Sequence, residues 1–149
     1  MDTIGTVDAI LKHKGTQTHR IAPEATVFEA IELMAGKDVG ALLVMEEERL
    51  VGIISERDYT RKVALRGKAS KQTAVREILS GKIFTAQPET TVEECMRLMT
   101  EHRIRHLPVV EGDLVVGIVS IGDLVNWIIS SQTATIHQLH SYIAGQYPG

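Results

Sequence analysis

An internal repeat constrains the fold of this chain more than any other feature. The stretch 117–123, Gly-Ile-Val-Ser-Ile-Gly-Asp, repeats the stretch 52–58, Gly-Ile-Ile-Ser-Glu-Arg-Asp. The offset between these two stretches, which we call the repeat offset, also relates Pro23 to Pro88 and Leu42 to Leu107. A repeat this regular predicts two copies of one folding unit. Because one such unit would bury little surface alone, we expect the two copies to share a core.

The repeat divides the chain into two units and two further segments. We assign residues 6–66 to the first repeat, 67–74 to a polar linker, 75–131 to the second repeat and 132–149 to a C-terminal helical extension. A short helix near Leu11 has its counterpart near Leu79. The separation between these two helices, which we call the longer offset, exceeds the repeat offset by three residues. The first repeat therefore carries three additional residues after the helix. The C-terminal extension is either a flap on the core or a dimer contact.

Each repeat reads as helix, strand, helix, a hairpin of two strands, and helix, which predicts a mixed α+β fold. Thr26 with Glu29, and Thr91 with Glu94, have the spacing of a capping box at the start of a helix. Apolar residues then recur at helical spacing. Pro108 has no amide hydrogen, so we expect its strand to lie at an edge or to begin at that proline.

Composition and charge argue against several classes of protein. The chain is 44% hydrophobic and 23% charged, as is usual for a globular protein. A net charge of −3 argues against a nucleic-acid partner. No apolar run is long enough to span a membrane and no signal peptide is visible, so we expect a cytoplasmic protein without a membrane partner. The single cysteine, Cys95, lies at a helical apolar position and is expected in the core.

The motifs, taken in order, resemble a known family. The chain carries Pro-x-x-Thr-Val twice, Gly-Ile-(Val/Ile)-Ser-x-x-Asp twice, and a His-Leu-Pro-Val-Val strand at residues 106–110. This arrangement resembles a tandem pair of cystathionine β-synthase (CBS) domains, the Bateman module, of the standalone bacterial type. The resemblance implies two βαββα-type repeats, packed sheet to sheet with pseudo-twofold symmetry, that leave two clefts. It also implies a non-catalytic, homodimeric regulatory module that binds an adenosine ligand such as AMP, ATP or NAD.

The Ser-x-x-Asp motif supplies the candidates for binding ribose. An ionised carboxylate only accepts hydrogen bonds, and the two adjacent hydroxyl groups of ribose can both donate to it. We therefore predict Asp58 and Asp123 as ribose ligands, with Ser55 and Ser120 as helpers near the ribose or phosphate. The alternative interpretation is that serine and aspartate only cap the helix that follows. The doubling of both residues at one spacing favours the binding role.

The residues that enter the strands supply the candidates for binding the base. Adenine needs an apolar slot with a few polar groups at its edge. We predict this slot from five residues: Ile83, Thr85 and Ile104 in the second repeat, and Val39 and Ala41 in the first. By the resemblance, Thr85 holds the position that often flanks the base.

The candidates for binding phosphate are basic residues distributed unequally between the repeats. They are Arg103, Arg105 and His106 before the His-Leu-Pro strand, Arg57 and Arg61 around the first Ser-x-x-Asp helix, and Arg20, the counterpart of Thr85. Strand alternation would place Arg103 and Arg105 on one side and His106 on the other. The alternative for Arg57 and Arg61 is an ordinary solvated helix face. The inequality predicts one strong phosphate site and one weaker or differently tuned site.

Other kinds of function receive less support from the sequence. A nucleotide-free dimeric interaction scaffold remains the main alternative to a sensor. No nucleophile is paired with a base, so we do not expect an enzyme. His102 with His106, and His137 with His140, have helical spacings. The first pair straddles a helix-to-strand boundary and the second has no third ligand nearby in the sequence, so we expect no metal.

Overall fold

The computed structural model describes residues 5–79 and 81–131. In chain order the first half contains α1 (Val7–Lys14), β1 (Arg20–Ile21), α2 (Val27–Lys37), β2 (Ala41–Glu46), β3 (Arg49–Ser55), α3 (Glu56–Tyr59) and a π-helix (Thr60–Ala64). Two 3-10 helices follow, Ser70–Gln72 and Val75–Ile78. The second half contains α4 (Val92–His102), β4 (His106–Glu111), β5 (Leu114–Ser120) and helical residues 121–131, which we call α5. The predicted C-terminal extension lies outside the described residues.

The two hairpins have the same register, which confirms the repeat at the level of individual backbone pairs. In the first sheet, ordered β1-β2-β3, Ala41 pairs with Ser55. In the second sheet, β4-β5, His106 pairs with Ser120, and both partners lie one repeat offset further along the chain. Each hairpin also has its irregularity at the equivalent place, after Val44 and after Val109. The fold is α+β, as predicted.

Capping boxes fix the start of α2 and of α4, as the sequence predicts. The Thr26 hydroxyl accepts from the backbone N–H of Glu29 at 3.1 Å, and the Glu29 carboxylate accepts from the backbone N–H of Thr26 at 3.1 Å. Thr91 and Glu94 repeat the arrangement at 3.1 Å and 3.0 Å. These bonds satisfy amides that a helix N-terminus leaves without an intrahelical partner. They also lower the pKa of both glutamates.

The strand that contains Pro108 lies at an edge, which is one of the two predicted alternatives, because it pairs with β5 in a two-stranded sheet. It does not begin at the proline but two residues earlier, at His106. The strand tolerates Pro108 because the missing amide is not required there: the Pro108 carbonyl accepts from Ala86 N–H at 2.9 Å, on the side away from β5. The predicted helix after the hairpin of the first repeat has two parts: α3 leads into the π-helix, in which Leu65 N–H donates to the Thr60 carbonyl at 3.0 Å.

The short helix that opens each repeat packs into the core of the other repeat. Val7, Ile10 and Leu11 of α1 are buried with residues of the second repeat, including the fully buried Cys95. Val75 and Ile78 are buried in the core of the first repeat. Backbone bonds fix this exchange, since Val7 N–H donates to Thr90 at 2.9 Å and Val75 N–H donates to Ala25 at 2.8 Å. The reciprocal exchange relates the two halves as a twofold axis would.

Candidate functional site

A cleft of about 890 Å³ lies between the two halves. We call it the Asp58 cleft. One wall comes from the end of β3, α3 and the π-helix, and the other comes from residues 81–84 and 102–106 of the second repeat. Its volume lies in the range that holds a drug-sized ligand. Nine of the residues predicted from the sequence line it: Ser55, Arg57, Asp58, Arg61, Ile83, Arg103, Ile104, Arg105 and His106.

Six predicted residues lie elsewhere. Ala41 is 8% exposed at the start of β2, and Val39 packs against the core of the first repeat. Thr85 is half-buried just before Ala86. Arg20 lies in β1, 3.9 Å from the carboxylate of Glu48 in the hairpin turn. Ser120 and Asp123 occupy the equivalent place in the second repeat, at the start of α5.

Asp58 caps its own helix and also faces the cleft. Its Oδ2 accepts from the Ser55 backbone N–H at 2.9 Å and from the Ser55 hydroxyl at 3.0 Å. The Ser55 hydroxyl in turn accepts from the Asp58 N–H at 3.2 Å. Capping is therefore a real role of this pair. It uses one carboxylate oxygen, and the other, Oδ1, lies 3.5 Å from the Lys62 ammonium.

Cations from both halves face the Asp58 cleft. Six lysine and arginine side chains line it against two carboxylates, those of Glu56 and Asp58. Three of the cations come from the first repeat and three from the second; they are Arg57, Arg61, Lys62, Lys82, Arg103 and Arg105. Opposed cations in a concave site create a positive potential that attracts anions. Lys82 was not predicted, although it is the counterpart of Lys14 at the longer offset.

The residues that lead into β4 do not alternate as predicted. Arg103, Arg105 and His106 all line the same cleft. Arg103 ends α4 in the left-handed conformation, with φ of 54°, and residues 103–105 precede the strand. Strand alternation does not apply to backbone of this kind, so both arginines and the histidine can face one space.

His106 of the second repeat lies close to Gly40 of the first. A Cβ atom added at Gly40 would lie 3.5 Å from His106 Nε2 and 3.6 Å from a carboxylate oxygen of Glu56, so glycine at this position leaves room for both side chains. Burial lowers the pKa of His106, while the carboxylates of Asp123 and Asp58 oppose that shift. The imidazole therefore interacts with the carboxylates of both repeats.

The apolar part of the cleft contains a pair of stacked rings. The Phe84 and His102 rings lie 3.8 Å apart between centroids, with an angle of 16° between planes. Ile83, which is 38% exposed, and Ile104 lie beside them. His102 was weighed only as a metal ligand, and Phe84 was not predicted to line a site. Within residues 5–79 and 81–131 no three histidine, cysteine or acidic residues form a metal-binding group, and His137 and His140 lie outside these ranges.

The carboxylate of Asp123 has a different partner from that of Asp58. Its Oδ2 accepts from the Ser120 N–H at 2.8 Å and from the Lys14 ammonium at 2.8 Å. Lys14 ends α1, the helix that packs into the second repeat. Lys14 was not predicted as a site residue, although it recurs as Lys82 at the longer offset. We call Ser120, Asp123 and Lys14 the Asp123 site.

Comparison with known proteins identifies the family. The CBS domain model matches residues 16–65 and 75–130. The chain belongs to the CBS-domain family. The CBS domain-containing protein CBSX3, mitochondrial, of Arabidopsis thaliana is 38% identical over 95% of this chain and 73% of its own length. A structure of a protein with CBS domains from Burkholderia ambifaria MC40-6, provisionally assigned to signal transduction, is 47% identical, with a TM-score of 0.82 over 85% of this chain and 96% of that one.

Two further solved structures bear on ligands and assembly in CBS pairs. The CBS domain pair of protein MJ0100 was determined in complex with 5′-methylthioadenosine and S-adenosyl-L-methionine; it is 24% identical, with a TM-score of 0.72 over 84% of this chain and 96% of that one. A CBS-CP12 protein from bloom-forming cyanobacteria is hexameric; it is 32% identical, with a TM-score of 0.72 over 80% of this chain and 66% of that one. No helix among residues 5–79 and 81–131 of this CBS pair could cross a membrane.

Proposed function

We propose that this CBS pair is a non-catalytic sensor of an adenosine nucleotide, which it binds in the Asp58 cleft. One observation carries the proposal: a helix-start carboxylate and six cationic side chains, drawn from both halves, surround one cleft of about 890 Å³. A nucleotide offers matching groups, a ribose diol and phosphates. The adenosine-derived ligands in the CBS pair of MJ0100, which shares the fold, support the choice of adenosine.

The roles within the cleft follow from the chemistry of each side chain. Asp58 Oδ1 accepts hydrogen bonds from the ribose hydroxyls, while Oδ2 stays in the capping box. Ile83 and Ile104, next to the stacked rings, hold the base. The arginines and lysines of the two walls, together with His106, bind phosphate. The predicted contacts of Ser120 and Asp123 belong to the Asp123 site, and those of Thr85, Val39, Ala41 and Arg20, which do not line the Asp58 cleft, stay predictions.

Binding of phosphate also explains how the module would signal. The cations of the two walls repel one another in the absence of an anion. A phosphate group between them replaces this repulsion with attraction to both halves, so the ligand binds most tightly when the walls are close. A ligand that prefers one arrangement shifts the population toward it, and a protein partner reads the shift. No reaction is required.

The first test is a thermal-shift panel on the purified protein with AMP, ADP, ATP, NAD, NADH and S-adenosylmethionine. A ligand at 100 times its dissociation constant adds about 2.7 kcal/mol to the free energy of unfolding. For a chain of this size that raises Tm by several degrees. We expect one or more of the phosphate-bearing ligands to do so, and ATP to show no release of phosphate on prolonged incubation. A flat panel, from protein shown to carry no co-purified nucleotide, favours the scaffold alternative.

Asp58→Asn tests the site within the module. The substitution keeps an oxygen for the cap and removes the charge that accepts from ribose. Hydrogen bonds to charged groups contribute ~1.5–3 kcal/mol, so the dissociation constant should rise by roughly 10- to 150-fold. Asp113→Asn, the same change in the exposed turn between β4 and β5, is the matched control and should leave affinity unchanged. Equal nucleotide affinities for Asp58→Asn and Asp113→Asn would mean that Asp58 does not bind the ligand.

The proposal extends to assembly and location. We propose a homodimer, as the family resemblance implies, and light scattering on the purified protein distinguishes it from a hexamer such as the CBS-CP12 protein forms. We also propose a cytoplasmic location. Because one relative is mitochondrial, imaging of the protein in its own cell should test this location.

A further inference from the structure

The Lys14 ammonium binds the carboxylate of Asp123, the counterpart of the Asp58 carboxylate. The ammonium donates to Asp123 Oδ2 at 2.8 Å and to the Ile118 carbonyl at 2.9 Å. The Lys14 and Asp123 side chains are 31% and 24% exposed, so this pair is partly shielded from water. In the Asp58 cleft the ion pair to the carboxylate is longer, 3.5 Å from Lys62 to Oδ1. The two Ser-x-x-Asp sites therefore differ in how closely a lysine holds the carboxylate.

Packing of α1 on β5 sets the position of Lys14. Leu11, one helical turn earlier, lies over Gly117, where an added Cβ would come within 2.8 Å of a Leu11 methyl group. Glycine at 117 lets α1 approach the strand, and the last turn of α1 then carries Lys14 to the end of β5. Both contacts of Lys14 are made there, to the Ile118 carbonyl and to Asp123.

The Asp58 cleft differs in this respect because the equivalent helix is shorter. Leu79 lies over Gly52 as Leu11 lies over Gly117. The 3-10 helix there spans only Val75–Ile78, whereas α1 continues to Lys14. Residues 79, 81 and 82 are counterparts of the additional turn but are not helical, and the three residues by which the first repeat is longer come after Lys14. Lys82, the counterpart of Lys14, comes after the chain has left the helix, and it lines the Asp58 cleft.

We propose that Lys14 is a specificity-determining residue that closes the Asp123 site to the ribose of a nucleotide, so that each chain binds one ligand. This proposal rests on the proposed function, because it assumes that Asp58 and Asp123 can each accept a ribose diol. A ligand at Asp123 must displace an ammonium from both the carboxylate and the Ile118 carbonyl. Lys62 also donates to a backbone carbonyl, that of Ile78 at 3.0 Å, so the difference between the sites is the carboxylate contact, which a ligand at Asp58 displaces at 3.5 Å and not at 2.8 Å.

The test is the number of nucleotides bound per chain, measured by equilibrium dialysis with ATP and with AMP as separate probes. The wild type should bind one. Lys14→Met, which keeps the aliphatic chain and removes the charge, should bind two, and Lys14→Met with Asp123→Asn should return to one. Lys12→Met is the matched control, because Lys12 lies on the same helix in an exposed ion pair with Asp8 at 3.1 Å. It should bind one.

The outcomes separate this proposal from the proposed function. Two nucleotides on the wild type, or one on a folded Lys14→Met, overturn the closure by Lys14 and leave the sensor function intact. No nucleotide on either protein overturns the sensor function itself. Should Lys14→Met fail to fold, Asp123→Asn in the otherwise wild-type chain gives the answer. Closure predicts unchanged affinity and stoichiometry for that variant, and a loss of binding would overturn it.

Discussion

The exchange of helices between repeats makes a prediction that a matched pair of substitutions can test. Ile10 and Ile78 are counterparts at the longer offset, and they are 3% and 5% exposed. Ile10 is in the core of the second repeat and Ile78 is in the core of the first. Ile10→Ala should therefore loosen the second repeat, and Ile78→Ala should loosen the first. If each short helix packed into its own repeat, Ile10→Ala would loosen the first repeat and Ile78→Ala the second.

The size of the effect follows from the burial of both side chains. Replacing a buried isoleucine with alanine removes three carbon atoms from the core and leaves a cavity, which costs about 2–5 kcal/mol in proteins. Because the two positions are almost equally buried, the free energies of unfolding should fall by similar amounts. At roughly 2–4 °C per kcal/mol for a chain of this length, each Tm should fall by about 4–20 °C. Urea denaturation measures the first quantity and calorimetry measures the second.

Hydrogen exchange read by mass spectrometry locates the effect. In Ile10→Ala, amides of β4 and β5 should exchange faster than in the wild type, with a smaller change in β2 and β3. In Ile78→Ala the order should be reversed. The free energy of a local opening depends on the stability of the unit that opens. A cavity should therefore raise the exchange rates of amides in its own core first. Faster exchange confined to β2 and β3 in Ile10→Ala would refute the exchanged packing.

Two further predictions concern the caps and the half-buried His106. Thr26→Ala and Thr91→Ala should each lower the free energy of unfolding by about 1 kcal/mol, because the two capping boxes are alike. The two losses should add in the double variant, because the boxes lie in separate helices. Urea denaturation measures the three losses, and unequal or non-additive values would contradict this prediction. Burial lowers the pKa of His106 in the folded protein. As the pH falls below ~6.5, this histidine therefore takes up a proton more readily in the unfolded chain than in the folded one. The free energy of unfolding should fall between pH 7.5 and pH 5.5 more steeply in the wild type than in His106→Gln. Parallel slopes in the two proteins would contradict this origin.

The features that could be predicted from the sequence are those that depend on local pattern or on the repeat itself. A threonine followed three residues later by glutamate specifies a helix start wherever it occurs, so both capping boxes could be predicted. The constant repeat offset carries the register of one hairpin to the other. The Asp58 cleft could be anticipated in part because nine of its lining residues lie next to these landmarks.

The features that could not be predicted depend on which surface meets which. The apolar positions of α1 show that one face is buried, but not that the second repeat buries it. Nothing in the sequence near Asp58 distinguishes a π-helix from the α-helix that follows Asp123. Lys14 is an ordinary lysine at a helix end in the sequence, and its ion pair joins residues 109 positions apart.

Two departures from the repeat favour the same site, and together they predict how ligands would differ. The additional turn of α1 brings Lys14 to the Asp123 carboxylate. Independently, five of the six lysines and arginines that line the Asp58 cleft have uncharged or acidic counterparts at the repeat offset. Arg103 and Arg105 correspond to Asp38 and Gly40, and Arg57, Arg61 and Lys62 correspond to Gly122, Asn126 and Trp127.

Removing Lys14 should therefore open the Asp123 site to ribose without making it a good phosphate site. In Lys14→Met, the ratio of the second to the first dissociation constant should be at least tenfold larger for ATP than for AMP. One charge-assisted hydrogen bond to the additional phosphates, worth ~1.5 kcal/mol or more, is sufficient for that difference. Calorimetric titration resolves both constants. Equal ratios for the two ligands would mean that the cations around Asp58 do not contact the additional phosphates, and that Lys14 alone distinguishes the two sites.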